Sequence, residues 1–407
     1  MFLQAEKRIQ NWIDSGKKHS QCPSDRENMA DPGNAAERNH LPYLEISLRE
    51  REDIRHQVER TDSARELSML LPLYAPGPLP PGKSVIFLDD IQVCPDILTK
   101  IKFLVDEGTY RYVLCGSNLG VHWTGIRSVP IGYVEPFQMY PMNLLEFSTA
   151  LGIEVSAIDH IKGSYANRQP VDADIHAQLI RSFYYYLMIG GMPAAVKTYL
   201  EQRNPVNADV RQKNILNLVR SDFARYEAMD RRLKITSVFD SIPSQLNKPN
   251  RRFTFTHLNK ELKFDRYENS FRWLRDAAVA IPVHRAQEPR SPLEQAKSSH
   301  LFRLYLNDVG LLTACYPQSL RQMILDMNPE LQLNFSSLFE NFVACELYQS
   351  GILPLYFKTP KIGEIDFLIE LDGKVVPMVI RSGKDYRKHT ALDRLLSEKA
   401  DSTDQCH

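Results

Sequence analysis

Residues 84–91 read SVIFLDDI. Four consecutive apolar residues, Val85 to Leu88, run straight into two carboxylates, Asp89 and Asp90. A short apolar run without alternation suits a strand buried on both faces, as in a parallel sheet. Downstream, PDILTKIKFLVDEG (95–108) carries Ile97, Ile101, Leu104 and Val105 at helical spacing. RYVLCGSN (111–118) then reads as a second buried strand with polar residues at its end. Strand, helix, strand in this order predicts a parallel α/β unit. Ligands in such sheets bind at the carboxyl ends of the strands. Asp89, Asp90, Ser117 and Asn118 are therefore expected side by side.

Directly upstream lies GPLPPGKS (77–84), which satisfies the phosphate-loop pattern G-x-x-x-x-G-K-[ST]. The physics of that loop is not met here. A phosphate loop connects a strand to a helix, and its backbone N–H groups with the helix N-terminus hold the anion. Three prolines remove three of those donors. No apolar strand precedes the stretch, and a strand rather than a helix follows it. Lys83 is also expected at the wrong end of the carboxylate strand. Gly77, Gly82, Lys83 and Ser84 thus read as a rigid linker entering a core strand. A second candidate, DSGKKHS (14–20), lacks the first glycine and has Lys18 where Ser or Thr is needed.

The 407 residues exceed one ordinary core and predict roughly two to four domains. Lys plus Arg equals Asp plus Glu at 50 each, so whole-chain charge steers towards neither nucleic acid nor anionic membrane. The six cysteines form no paired C-x-x-C motifs, which argues against a zinc site and for free thiols in a reducing compartment. The first residues lack the apolar run of a signal peptide. The longest apolar stretch, FYYYLMIGGM, is too short to span a bilayer. A cytoplasmic protein without membrane contact is expected. Residues 1–14 read as an amphipathic helix with Phe2, Ile9 and Trp12, 15–42 as polar loop, LPYLEISL (41–48) as a strand and 49–70 as helix. Residues 172–200 and 205–228 read as helical, and 232–290 as mostly helical with a possible hairpin wing.

Taken in order, VIFLDDIQVCPDILTKIKFLVDEG, YRYVLCGSNLGV, VEPFQMYPMNLLEFSTALG, YYYLMIGGMPAAVKTYL, NILNLVRSDFARY, VFDSIPSQLNKPNRRF, FRLYLNDVGLL, LFENFVACEL and GEIDFLIELDGKVVPMVIRSGK resemble a prokaryotic AAA-type ATPase family. Its members carry a C-terminal DUF4143 domain related to restriction-endonuclease-like folds. The resemblance covers roughly residues 84–395. It implies an α/β fold in four parts: an incomplete P-loop NTPase-like parallel sheet domain (1–168), a helical lid-like region (169–229), a winged-helix-like domain (230–295) and a nuclease-like DUF4143 domain (296–407). It further implies Mg²⁺ and ATP as cofactors, with Asp89 as the Mg²⁺-associated Walker B aspartate. Asp90 stands where the family usually has Glu. Asn118 or Ser117 resembles the sensor of the γ-phosphate. Arg220 or Arg225 is a candidate for charge on a phosphate, in the same or a neighbouring subunit, against the plainer reading of a solvated helix face or an intramolecular ion pair. The family's strand, phosphate loop and first helix look lost or replaced in residues 15–83. ATP turnover is therefore expected to be weak or absent.

For the C-terminal domain the resemblance implies a metal site built from Glu340, Asp366 and an acid-x-Lys strand. This chain has Val379 and Arg381 at the latter positions. Valine cannot ligate, and arginine is a permanent cation. Metal-dependent cleavage is not expected, and Glu340, Asp366 and Arg381 form a degenerate site. A further strand is implied after the helix at 388–399, so the domain is expected to be truncated. The basic residues of the helical middle, Arg211, Arg220, Arg225, Arg231, Arg232 and Lys234, with Arg251 and Arg252 in a following turn, leave DNA or another protein open as partner, and self-association open as well. The alternative function is a catalytically inactive protein- or nucleic-acid-binding relic of this family.

Overall fold

A computed structural model of the chain describes residues 8–9, 11–12, 20–23, 41–61, 63–116, 132–226, 229–254, 266–326, 336–381 and 389–404. These divide into two units, 1–142 and 143–407.

The first unit is built on five short parallel strands: β1 (Ser20–Pro23), β2 (Tyr43–Ser47), β3 (Val85–Asp89), β4 (Arg111–Leu114) and β5 (Val134–Phe137), ordered β2-β3-β4-β1-β5. Every residue of β3 is buried, which is why its sequence does not alternate. Its two faces serve two cores. Ile86 and Leu88 pack with Leu44, Ile46, Tyr112 and Leu114 beneath three helices. Val85 and Phe87 pack with Ile9, Trp12, Val113 and Phe137 on the other side. The three helices are α1 (Glu52–Arg60), α2 (Ala64–Leu70) and α3 (Asp96–Glu107). Each has a local reason to form. In α1, Ile54 and Val58 sit one turn apart, with Glu52 and Asp53 at the positive end of the dipole. Ser63 caps α2 by accepting the Glu66 N–H. Gly108, at φ 73°, ends α3 in the left-handed conformation that glycine adopts without cost.

One expectation is overturned. The core strand read as lost is present, because Ser20–Pro23 lies between β4 and β5, pairing Gln21 with both Val113 and Glu135. A four-residue polar segment is held there by ladder hydrogen bonds on both sides rather than by an apolar run of its own.

The second unit opens with helices α4 (Leu144–Ala150), α5 (Val155–Ala166), α6 (Ala173–Ile189), α7 (Pro193–Gln202), α8 (Pro205–Tyr226), α9 (Met229–Leu246) and α10 (Glu268–Asp276). The helical stretch expected over 172–200 is broken at Gly190, whose φ is 70°. A hairpin follows, β6 (Ala280–Ala286) against β7 (Lys297–Leu306), and the boundary expected at 295/296 falls inside it. Then come α11 (Val309–Ala314), α12 (Gln318–Leu325), α13 (Ser336–Gln349), β8 (Leu355–Thr359), β9 (Gly363–Leu371), β10 (Lys374–Met378) and α14 (Thr390–Asp404). The sheet runs β10-β9-β8-β6-β7, with only the β8–β6 pair parallel. The C-terminal part is thus a mixed α/β domain.

A tight lock joins distant parts of this unit. Asp308, fully buried, accepts the Gly191 N–H at 2.6 Å and caps α11 through the Leu311 N–H at 2.9 Å. A Cβ on Gly190 would meet Asp308 Oδ1 at 2.1 Å, and one on Gly310 would meet the Ile189 carbonyl at 2.4 Å. The glycines of YYYLMIGGMP and LYLNDVG are required by that close approach.

Candidate functional site

The carboxyl edge of the first sheet carries the expected carboxylates. Asp89 ends β3, is 2% exposed, and its carbonyl accepts the Leu48 N–H at 3.0 Å. Asp90 then turns into the left-handed region at φ 56°, which Asp tolerates better than most residues. The turn delivers its carboxylate to three donors. Arg49 Nη2 lies 3.1 Å from Oδ1, Gln92 Nε2 donates to Oδ1 at 2.9 Å, and Ser47 Oγ donates to Oδ2 at 3.2 Å. Both oxygens of Asp90 are engaged by the chain itself.

The neighbouring strand end is close. Cys115 donates its N–H to the Leu88 carbonyl at 2.8 Å, and Ile91 donates to the Cys115 carbonyl at 3.1 Å. Ser117 and Asn118, two and three residues further on, lie outside the described residues.

GPLPPGKS lies at the amino edge of the same sheet, one strand length away, roughly 16 Å at the rise of a strand. Two of its amides are already used: Gly82 N–H donates to the Thr109 carbonyl and Lys83 N–H to the Pro80 carbonyl. The Ser84 hydroxyl also donates to the Pro80 carbonyl, at 2.9 Å. Residues 24–40, which follow β1, contain no lysine. A Mg²⁺–ATP complex needs a carboxylate for the metal and a cationic, amide-lined cradle for the phosphates. Asp89 suits the first requirement. Among the described residues the lysine of the loop pattern is on the opposite edge, so these residues do not supply that cradle.

Arg220, on α8, donates from Nε to Asp240 Oδ1 at 2.8 Å and from Nη1 to Asn217 Oδ1 at 3.1 Å. Arg225 belongs to the last turn of the same helix, and its side chain lies outside the described residues.

Glu340, Asp366 and Arg381 come together, around Arg251, which the sequence marks only as a basic residue in a turn, and around Arg303, Tyr305, Lys358 and Glu364. Glu364 and Asp366 are two apart on β9 and so share a face, as do Arg303 and Tyr305 on β7. Glu340 of α13, 1% exposed, faces them. Two guanidinium groups sit at the focus. Arg251 Nη1 is 2.7 Å from Glu340, 3.6 Å from Glu364 and 3.8 Å from Asp366. Arg303, 1% exposed, reaches Glu340 at 3.4 Å and Asp366 at 3.8 Å and pairs closely with Glu364. Tyr305 donates to Glu340 at 3.1 Å, and Lys358 pairs with Glu364. Asp366 Oδ2 accepts the Ile380 N–H at 2.8 Å and lies 3.5 Å from Arg381. Val379 packs on the apolar core of this domain.

The electrostatics follow from burial. Loss of solvent and the neighbouring Asp366 push Glu340 up to about 7, against the pull of Arg303 and Arg251. Burial likewise raises Asp366. Burial also works against Glu364, yet Arg303 and Lys358 hold its pKa below the usual value. Burial works against the charge on Arg303, but the neighbouring Glu340 and Glu364 outweigh it. In a metal-dependent nuclease the three carboxylates would surround a cation. Here the chain's own guanidiniums fill that position, and no group of His, Cys, Asp and Glu among the described residues is arranged to hold a metal. The residues do not fit a catalytic metal. The signals that could have found Arg303 and Glu364 are the alternate spacings R-L-Y and E-I-D within apolar strands. Arg251 had none, because only the fold brings it there.

Three family models match. Residues 34–148 match an AAA domain, 180–322 the domain of unknown function DUF8612, and 335–405 the domain of unknown function DUF4143. The chain therefore carries an AAA-type domain and a DUF4143 domain. No curated protein matches it. Among solved structures, it is similar to a Walker-type ATPase of Pyrococcus abyssi, at 12% identity and TM-score 0.46, over 77% of this chain and 95% of that one. It is also similar to the Aeropyrum pernix Orc1 protein, solved in complex with DNA, at 11% identity and TM-score 0.29, over 80% and 92% of the two chains. Pyrobaculum aerophilum Cdc6p follows at 12% identity and TM-score 0.27, over 80% and 93%. Among the described residues no helix is long and apolar enough to cross a membrane.

Proposed function

We propose that this chain is a catalytically silent AAA-type protein, a scaffold that binds DNA or another protein and turns over neither ATP nor nucleic acid. One observation carries the reading: in both units, carboxylates that the family resemblance assigns to catalysis are held by the chain's own arginines. Arg49 engages Asp90, and Arg251 and Arg303 engage Glu340 and Asp366. A carboxylate engaged by guanidinium is a poor metal ligand, because its lone pairs are already used. Asp90 is also one methylene shorter than the Glu of the family, and catalytic geometry tolerates little displacement.

A second reading is favoured by one feature. Asp89 is buried at the end of β3, where a Mg²⁺-associated aspartate belongs, which supports nucleotide binding without hydrolysis. Steady-state ATP hydrolysis by the purified chain tests the proposal, with Asp89→Ala as the control. Equal background rates in both proteins are expected. Mg²⁺-dependent phosphate release that disappears in Asp89→Ala would overturn it.

A further inference from the structure

In the second unit, α8, α9 and the end of α11 line an open cavity of about 620 Å³, a size that suits a small organic ligand. Its polar wall is made mainly of donors. Lys213, Asn217, Arg220 and Asn247 all line it. Lys213 uses one of its three N–H groups on Asp209, at 3.0 Å. Arg220 gives Nε to Asp240 and Nη1 to Asn217, which leaves N–H groups of its fork to spare.

The two asparagines are turned the same way by their neighbours. Asn217 Oδ1 is taken by Arg220. Asn247 Oδ1 accepts from the Tyr316 hydroxyl at 3.1 Å and the Ser337 hydroxyl at 2.9 Å. Each amide therefore has its NH₂ group left to offer. Among the described residues Asp240 is the one carboxylate in the wall, and it pairs with Nε of Arg220, leaving the Nη2 end of the guanidinium to a ligand. Between these donors the wall is apolar, with Leu216, Phe239, Leu306 and Ala314. A donor-rich rim over an apolar floor selects a ligand with several acceptor oxygens, a negative charge and an apolar body.

We propose that this cavity binds a small organic anion, a phosphate monoester or a carboxylate with an apolar body. Arg220 and Lys213 anchor the charge, and the amides of Asn217 and Asn247 orient it. In this assignment Arg220 serves a ligand within its own unit. The site is independent of whether ATP binds the first unit.

Cys315 lines the same cavity and is exposed, whereas Cys94, Cys115 and Cys345 are buried. Its alkylation by N-ethylmaleimide, read by peptide mass spectrometry, therefore reports occupancy. The probes are 1-naphthyl phosphate, 1-naphthoate and the uncharged 1-naphthol. At least one anion is expected to slow Cys315 alkylation, by about tenfold at ten times its half-saturating concentration, with 1-naphthol without effect. The anion that protects at the lower concentration identifies the headgroup. Arg220→Gln is expected to abolish protection while alkylation without ligand still proceeds. Should that variant fail to fold, Asn247→Asp, which replaces a donor by a carboxylate, is expected to give the same loss. Absence of protection by both anions, equal protection by 1-naphthol, or protection that survives in the folded variant would each overturn the proposal.

Discussion

The guanidinium of Arg251 lies 2.7 Å from the carboxylate of Glu340, a side chain that is 1% exposed. Arg251 and Arg303 each contact the same three carboxylates, Glu340, Glu364 and Asp366. In this domain buried positive charge comes from the chain, so no metal is needed to neutralise the acids. Removing one member of such a cluster leaves its partners buried and uncompensated, which costs about 3–5 kcal/mol. Arg303→Met is expected to lower unfolding free energy in urea by that amount. Arg381→Met, at a side chain that is 38% exposed, is expected to cost about 0–1 kcal/mol. A rise in the melting temperature of the wild type on adding Mg²⁺ would contradict the account of this site.

Gly310 and Gly77 separate packing from linker. A methyl group at Gly310 has no room against the Gly190 amide and the Ile189 carbonyl, both 2.4 Å away, whereas Gly77 has nothing within 4 Å. Gly310→Ala is expected to destabilise the protein by at least about 2 kcal/mol. Gly77→Ala is expected to be neutral or slightly stabilising, through the reduced freedom of the unfolded chain. Equal melting temperatures for the two variants would count against the lock around Asp308.

Asp308 gives the lock a pH dependence. Burial pushes its carboxyl up to about 6, against the backbone N–H groups of Gly191 and Leu311. Between its ordinary value and 6 the folded state therefore holds more protons than the unfolded one, so stability falls as pH rises. The contribution is fully present below about 4 and is lost as pH rises through 6, a change of about 3 kcal/mol. Urea midpoints of wild type and Asp308→Asn between pH 4 and 7 measure it. The stability of the wild type relative to the variant is expected to shrink over that range. A constant difference would show that Asp308 is ionised throughout.

Lys83 decides the fate of the loop pattern. It follows a turn at the amino edge of the sheet, with Ser84 Oγ tied to the Pro80 carbonyl. Lys83→Ala is expected to leave stability within about 0.5 kcal/mol of wild type, as for other surface changes, and to leave the response to ATP unchanged. Loss of an ATP-dependent melting shift in Lys83→Ala would restore GPLPPGKS as a phosphate loop.

Much of this was readable from local pattern. The unalternating VIFLD required two buried faces and has them. PDILTKIKFLVDEG put its apolar residues on one side of α3, and GEIDFLIEL formed β9. Four features resisted for physical reasons. Ser20–Pro23 is polar and only four residues long, so its place in the sheet comes from neighbours on both sides, not from its own propensity. Arg251 is separated by long stretches of chain from every carboxylate it meets, and no spacing rule reaches that far. Gly190 broke a helix because Asp308, more than a hundred residues away, occupies the space of a side chain. Asp90 could be placed beside Asp89, but its capture by Arg49 depends on a left-handed turn that the sequence does not announce.

The central claim is that the carboxyl edge of the first sheet keeps Asp89 without a phosphate clamp. Calorimetric titration of Mg²⁺–ATP into the full chain, with Asp89→Ala beside it, tests this most directly. The account predicts no Mg²⁺-dependent binding heat in either protein. Saturable binding by the wild type that is lost in Asp89→Ala would contradict it, and would mean that a phosphate site is assembled around Asp89 after all.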